Sequence, residues 1–248
     1  MRQLEKERPR GVGEERRAQK HRADALRAAL SSCSPFAVLD AQGLEELSRV
    51  CVFARFPRRG LLYEEGTAAE SIYVVASGRV RVVRAAGESR VLTVAYRAPA
   101  ELLGETALPD GERYRDAATA AETVDAVRIP LRSVQTLLAE KAPFSRQMLS
   151  LMVDRRIEAE RRVESLLSRS VESRVAEFLL DAAERNGVQD ERGVLIAVRY
   201  THQEIADYVG STRETVTLTL GELRRKELLT FDHRRIVLRN PALMSKLV

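Results

Sequence analysis

Residues 201–226 carry the side chains whose types and spacing are most specific to one chemistry. Thr201-His-Gln-Glu204 and Ser211-Thr-Arg-Glu214 each set a hydroxyl three residues ahead of a carboxylate, the spacing at which a helix N-terminus satisfies its first amides reciprocally. Behind the first box Ile205, Ala206 and Val209 are apolar at helical spacing, and Gly210 stops the helix. The second box opens a helix with Val216, Leu220 and Leu223 on one side and Arg213, Glu214 and Thr217 on the other. A guanidinium in that first turn is a fork of donors matched to O6 and N7 of guanine, and a neighbouring carboxylate accepts from the N4 amine of cytosine. Two short helices joined through Val209-Gly210-Ser211 predict a helix-turn-helix whose second helix enters the major groove of double-stranded DNA.

After it, Leu228–Phe231 and Ile236–Leu238 read as short strands about Asp232-His233-Arg234-Arg235, a wing whose Arg234 and Arg235 suit phosphates. Thr201, His202, Ser211 and Thr212, at the two helix starts, complete the set of expected DNA contacts. Charge agrees with this placement. The chain has 248 residues and a formal charge of +5. Residues 1–27 hold nine Lys/Arg against five Asp/Glu, 28–196 hold 23 against 25, and 197–248 hold nine against six. Basic ends flanking a slightly acidic middle point to a polyanion at the ends.

The elements that must position these residues follow from the period of the apolar pattern. Residues 1–24 are Arg/Glu-rich without a period and read as a disordered or partly helical tail, with the first domain boundary at 30. Between 51 and 129 the period is two: Ile72–Ala76, Val80–Val83, Val91–Ala95 and Val124–Ile129 are β-branched runs punctuated by glycines. Strands at this spacing with no helices between them predict an antiparallel roll over 31–142. From Phe144 a helical stripe runs through Met148, Leu151, Met152, Arg155, Ala159, Arg162, Val163 and Leu166 without a Gly or Pro. Such a narrow seam flanked by charges predicts a dimer contact between two copies of the chain, over 143–169. The helix-turn-helix and its wing occupy 170–248. The fold class is therefore α+β: antiparallel roll, long helix, winged helix-turn-helix.

These pieces resemble the Crp/Fnr family of bacterial transcription regulators. The matching stretches are Glu204-Ile-Ala-Asp-Tyr-Val-Gly-Ser-Thr-Arg-Glu-Thr-Val-Thr, Glu70-Ser-Ile-Tyr-Val-Val-Ala-Ser-Gly-Arg-Val and Gly104-Glu105. The resemblance implies a cyclic-nucleotide-type roll and a homodimer on a near-palindrome with half-sites one helical turn apart; RNA polymerase is an expected partner, and an N-terminus without an apolar signal stretch makes a cytoplasmic protein the default expectation. It departs from the catabolite-activator pattern at Leu218, where that pattern has a second arginine; Leu218 offers apolar contact, for example to a thymine methyl. In cyclic-nucleotide binders Gly104-Glu105 would hold ribose and Arg115 the phosphate, but Asp116 stands where a serine is expected. The adenine-contacting Thr-Ser pair of the long helix reads Ala159-Glu160 here. Gly210-Ser-Thr-Arg and Gly221-Glu-Leu-Arg are similar to the nitrogen-control branch, which responds to 2-oxoglutarate. On that likeness Arg113 and Arg155 would bind a dicarboxylate, with Glu160 matching a further position of the branch. Three readings of the roll stay open at this point: cAMP, 2-oxoglutarate, or no small ligand, with Glu105, Arg113, Arg115 and Asp116 neutralising one another.

Other classes find little support. No apolar run approaches the ~20 residues of a membrane span. Cys33 and Cys51 are too few for a four-cysteine cluster, and His21, His202 and His233 are scattered, so neither a metal site nor a catalytic constellation is expected. No phosphate-binding glycine motif is present. The competing class is a cyclic-nucleotide-type regulatory module of a signalling complex without DNA binding, and the DNA-reading pattern after residue 200 separates the two.

Overall fold

The computed structural model describes residues 12–85, 91–109 and 112–248. The chain divides into two compact units. One holds the described residues of Met1–Val83 with Tyr96–Leu151; the other holds those of Arg84–Ala95 with Met152–Val248.

The first unit holds the roll except for the described residues of Arg84–Ala95, which group with the second. One sheet has the order β1 (Val52–Phe56), β8 (Val124–Pro130), β3 (Ser71–Ser77), β6 (Leu102–Leu103); the other has β2 (Leu61–Tyr63), β7 (Ala117–Ala120), β4 (Val80–Ala85), β5 (Val91–Arg97). The pairs β1–β8, β8–β3, β3–β6, β2–β7 and β7–β4 are antiparallel, Tyr73 facing Arg128 and Val82 facing Ala118. Ile72, Val74, Val75, Val80, Ala118, Val127 and Ile129 are fully buried. The strand over 72–76 reads as a continuous apolar run because both of its faces are covered.

The tail boundary expected at residue 30 is corrected. Helix α1 runs Val12–Ser32, and Leu26, Ala29 and Leu30 are buried within the first unit. The expected disorder of residues 1–11 lies outside the described residues. Helix α2 (Ala41–Val50) is capped by Asp40, whose carboxylate accepts from the Gly43 amide at 2.7 Å. Helix α3 (Leu131–Glu140) follows β8, and α4 (Ala142–Ser168) is the long helix.

The second unit is built on α5 (Val171–Asn186), α6 (His202–Val209) and α7 (Arg213–Arg225), with a sheet of order β11 (Leu229–Asp232), β12 (Arg235–Leu238), β10 (Gly193–Ile196), β9 (Gly187–Asp190). Val175, Leu179, Ile196, Ile205, Val216, Leu220, Leu223 and Val237 form its core. The chain ends in α8 (Pro241–Met244) and a short 3-10 turn. The β9–β10 hairpin has no counterpart in the sequence reading: its strands are four residues each, and neither alternates cleanly.

Candidate nucleic-acid interface

The two helix starts are built as their caps dictate, with one shift. Thr201 accepts from the Glu204 amide at 3.1 Å, and Glu204 accepts from the Thr201 amide at 2.7 Å, so the first capping box is complete. Gly210 closes α6 in the left-handed region at φ 66, where a Cβ carries a steric cost. A Cβ there would also come within 2.9 Å of Leu166 Cδ2. The cap of α7 is Thr212, which accepts from the Thr215 amide at 3.2 Å. The expected box on Ser211 is therefore corrected by one residue, and Arg213 becomes the first residue of the helix.

Arg213, Glu214, Thr217 and Leu218 are exposed on the side of α7 away from Val216, Leu220 and Leu223. Leu218 is 70% exposed, so this apolar side chain belongs to no core of its own chain. Thr217 departs from expectation. Its hydroxyl donates to the Arg213 carbonyl at 2.8 Å and lies 2.7 Å from His202 Nδ1. A hydroxyl has one proton to donate, so Nδ1 of His202 carries the hydrogen of the second contact. His202 is partly enclosed, and burial, followed by the Arg213 charge, holds its imidazole below the usual range. The pair ties the start of α6 to the middle of the reading helix and spends the Thr217 donor inside the protein.

In the wing, Asp232 faces Arg235 across the strand pair, and His233 and Arg234 form the turn at φ 43 and 68. Both central residues at positive φ make a type I′ hairpin. Arg234 is exposed at the tip, whereas Arg235 is a half-buried strand residue, which separates two side chains read from sequence as equivalent. Arg192, absent from the sequence reading, holds Asp190 at 2.9 Å and Asp232 at 3.0 Å. It thereby joins the β9–β10 hairpin to the wing and screens the acid beside the tip.

The long helix shows two faces. Phe144 and Met148 are buried, Phe144 packing on Phe36 at 5.2 Å between ring centres. Leu151, Met152, Arg155 and Leu166 are half-buried, and Ala159 is exposed. Arg162 donates to the Val94 carbonyl at 3.0 Å and to the Tyr208 carbonyl, and lies 4.1 Å over the Tyr208 ring. Phe144, Met148 and Arg162 are therefore corrected from dimer contacts to contacts within the chain. The exposed apolar side chains of α4 are Leu149, Val153, Ile157, Val163 and Leu167. At 100° per residue they fall within about 120° of one another, on a face roughly a third of a turn from the predicted stripe. Only Val163 belongs to both sets.

In the roll, Gly104 adopts φ 82 at the start of the 3-10 turn Glu105–Ala107. The Glu105 carboxyl is enclosed; burial pushes it up to about 7 against the pull of the Arg97 guanidinium, with Asp116 and Glu101 adding to the rise. Asp116 is buried and accepts from the Tyr63 hydroxyl at 2.8 Å, a partner that no local pattern announces. Tyr63 stacks on Tyr114 at 4.2 Å and on Tyr73 at 5.8 Å. Arg113 and Arg115 are exposed, Arg113 donating to the Gly66 carbonyl. Two arginines are buried instead: Arg79, whose place in an alternating strand reads as outward-facing but which lies 4.5 Å over the Tyr96 ring, and Arg97, 3.8 Å from Glu101. In the second unit, Glu160 accepts from Arg156 at 2.8 Å, one helical turn away.

Among the described residues no group of His, Cys, Asp and Glu is placed to hold a metal ion, and no helix is long and apolar enough to cross a membrane. Burial pushes the thiols of Cys33 and Cys51 up to about 12, which leaves them protonated and unreactive near neutral pH.

A cyclic-nucleotide-type roll, a long helix and a winged helix-turn-helix with an arginine at the head of its outward face define a DNA-binding transcription regulator. Residues 53–141 match the cyclic nucleotide-binding domain and residues 173–247 the Crp-like helix-turn-helix domain. The chain is 31% identical over 196 residues, 77% of its length and 87% of the relative's, to the global nitrogen regulator of Synechococcus elongatus. It is 26% identical over 183 residues, 74% of its length and 82% of the relative's, to the CRP-like cAMP-activated global transcriptional regulator of Mycobacterium tuberculosis. The solved structure of FixK2 from Bradyrhizobium japonicum superposes with a TM-score of 0.71 at 27% identity, covering 80% of this chain and 97% of that one. The chain belongs to the Crp/Fnr family, whose members are transcription regulators rather than enzymes. Helix-turn-helix regulators of this family bind DNA and function as dimers. The signalling module without DNA binding, weighed above, finds no support among these relatives.

Proposed function

We propose that this regulator reads a near-palindromic operator as a homodimer joined along the exposed apolar face of α4, and acts there on RNA polymerase. The observation that carries the reading is the outward face of α7, which combines an exposed guanidinium at the first helical position with an exposed leucine five residues on. Arg213 grips a guanine through O6 and N7, Glu214 accepts from a cytosine N4, and Leu218 covers a thymine methyl. Thr201, His202, Ser211, Thr212 and Arg234 lie at helix starts and the wing tip, where phosphates pass, with Arg235 behind them. Two copies one helical turn apart on the duplex, about 34 Å, make the half-sites. Selection from random duplexes is expected to return half-sites with one strictly required G·C pair and an A·T-preferring inner position. A strict two-guanine half-site would overturn the assignment of Leu218.

For the roll we infer that neither cAMP nor 2-oxoglutarate is its effector. Asp116, engaged by Tyr63, stands where a phosphate-binding serine is expected, and a carboxylate beside a phosphate repels it. Arg113 and Arg115, which an anionic effector would need, are exposed. Calorimetric titration of the purified dimer with cAMP and with 2-oxoglutarate is expected to give no saturable heat; saturable binding of either one restores it as the effector.

A further inference from the structure

Helix α7 keeps a glycine, Gly221, in its third turn. At 100° per residue Arg213, Glu214, Thr217, Leu218, Gly221, Arg224 and Arg225 share an arc of about 140°, with Gly221 near its middle. The buried Val216, Leu220 and Leu223 occupy the opposite side. Glycine is the poorest helix former after proline, and a helix interior retains one where another backbone comes close. Among the described residues nothing comes close: a Cβ built on Gly221 meets no atom within 4 Å. Gly221 is not a cap either, since α7 continues to Arg225. The close approach that the glycine serves is therefore to something outside the chain.

The partner's chemistry follows from position and charge. Arg224 and Arg225 flank the glycine on the same face, and both are exposed. With Thr217 and Leu218 they line a shallow depression floored by the bare helix backbone. Gly221 lies about 12 Å along the helix from Arg213 and about 4.5 Å beyond Leu218, past the residues assigned to base edges and between two exposed arginines, so the part of the duplex left for it to meet is the sugar–phosphate backbone. We propose that the DNA sugar–phosphate backbone crosses α7 at Gly221, in van der Waals contact with the helix main chain, with Arg224 and Arg225 holding the phosphates on either side. This rests on the DNA-reading face proposed above for α7, and it adds a contact that sets how deeply the helix enters the groove.

Gly221→Ala separates this from a neutral surface glycine. Alanine is the better helix former and meets open space, so the thermal midpoint of the free protein is expected to rise by about 2–4 °C. Operator affinity, measured by fluorescence anisotropy on the duplex selected by the wild type, is expected to fall at least tenfold. Base preference opposite Arg213 is expected to stay unchanged, and the dependence of affinity on salt to become shallower as phosphate contacts are lost. A Gly221→Ala protein that is more stable and binds the operator as tightly as the wild type overturns the proposal. Arg213→Ala, measured in parallel, distinguishes that outcome from failure of the underlying reading. If wild type and Arg213→Ala bind every duplex alike, the DNA-reading face itself falls and this contact falls with it.

Discussion

At the residue scale, two titratable groups are placed so that their protonation reports on the molecule. His202 donates from Nδ1 to Thr217, which leaves Nε2 to take the second proton; burial and then Arg213 oppose that proton in the free protein. DNA phosphates reverse the sign of the local field, so operator binding favours the charged imidazole, and proton uptake should accompany it. Operator affinity is therefore expected to rise several-fold more between pH 7.5 and 5.5 for the wild type than for His202→Gln. Superimposable profiles would remove His202 from the interface. Glu105 works on stability. Its carboxyl in the folded state titrates near 7 rather than near the ordinary 4.5, so across that window the folded state holds a proton that the unfolded chain has released. Stability from this group is full at low pH and is lost as pH climbs towards 7, by about 1–3 kcal/mol. Glu105→Gln is expected to flatten that decline in urea titrations at pH 5 and 7.5. An unchanged slope would mean that the carboxyl is not enclosed in solution.

At the element scale, the pieces legible in the sequence are those whose signals are local. The Thr201–Glu204 box, the Gly210 stop and the apolar triplets of α6 and α7 sit within one or two turns of what they control, and α6 and α7 follow them. Features fixed by distant partners were not legible. Asp116 finds Tyr63 across 53 residues, and Arg192 finds Asp232 across 40. Helix α1 escapes a hydrophobic reading because the buried ones among its described side chains, Leu26, Ala29 and Leu30, fall only near its C-terminal end. The wing turn shows a local preference overridden. A type I′ turn favours Asn-Gly, yet His233 and Arg234 occupy its positive-φ positions, at a cost of about 1 kcal/mol or more each. A costly pair at an exposed tip is accounted for by contact outside the chain. Replacing His233-Arg234 by Asn-Gly is expected to raise the thermal midpoint by several degrees while lowering affinity for all duplexes and reducing the salt slope by about one. Arg234→Ala alone should reproduce the loss of affinity without the gain in stability; if the Asn-Gly protein binds DNA undiminished, the wing tip is no phosphate contact.

At the scale of the whole molecule, α4 shows what period alone leaves open about an interface. The pattern from Phe144 to Leu166 is a genuine apolar stripe, but periodicity reports which residues share a face and not what covers it. Phe36 covers Phe144, and Tyr208 takes Arg162, so part of that stripe is engaged within the chain. The face left bare carries Leu149, Val153, Ile157, Val163 and Leu167, with Leu167 83% exposed. A row this apolar over so long a helix is unusual in a monomer and fits a seam between two copies. The two faces make opposite predictions. Phe144→Ala, which empties a fully buried site, is expected to destabilise the roll by about 3–5 kcal/mol while the folded fraction stays dimeric. Val153→Glu with Val163→Glu puts charge into the bare seam without touching either core. Sedimentation at micromolar concentration is expected to show a folded monomer, with operator affinity reduced at least a hundredfold because the second half-site no longer binds as a tethered partner. If instead the double variant remains a dimer and Phe144→Ala dissociates, the seam lies on the face read first from the sequence, and the spacing of the two Arg213 side chains must be set by a different surface.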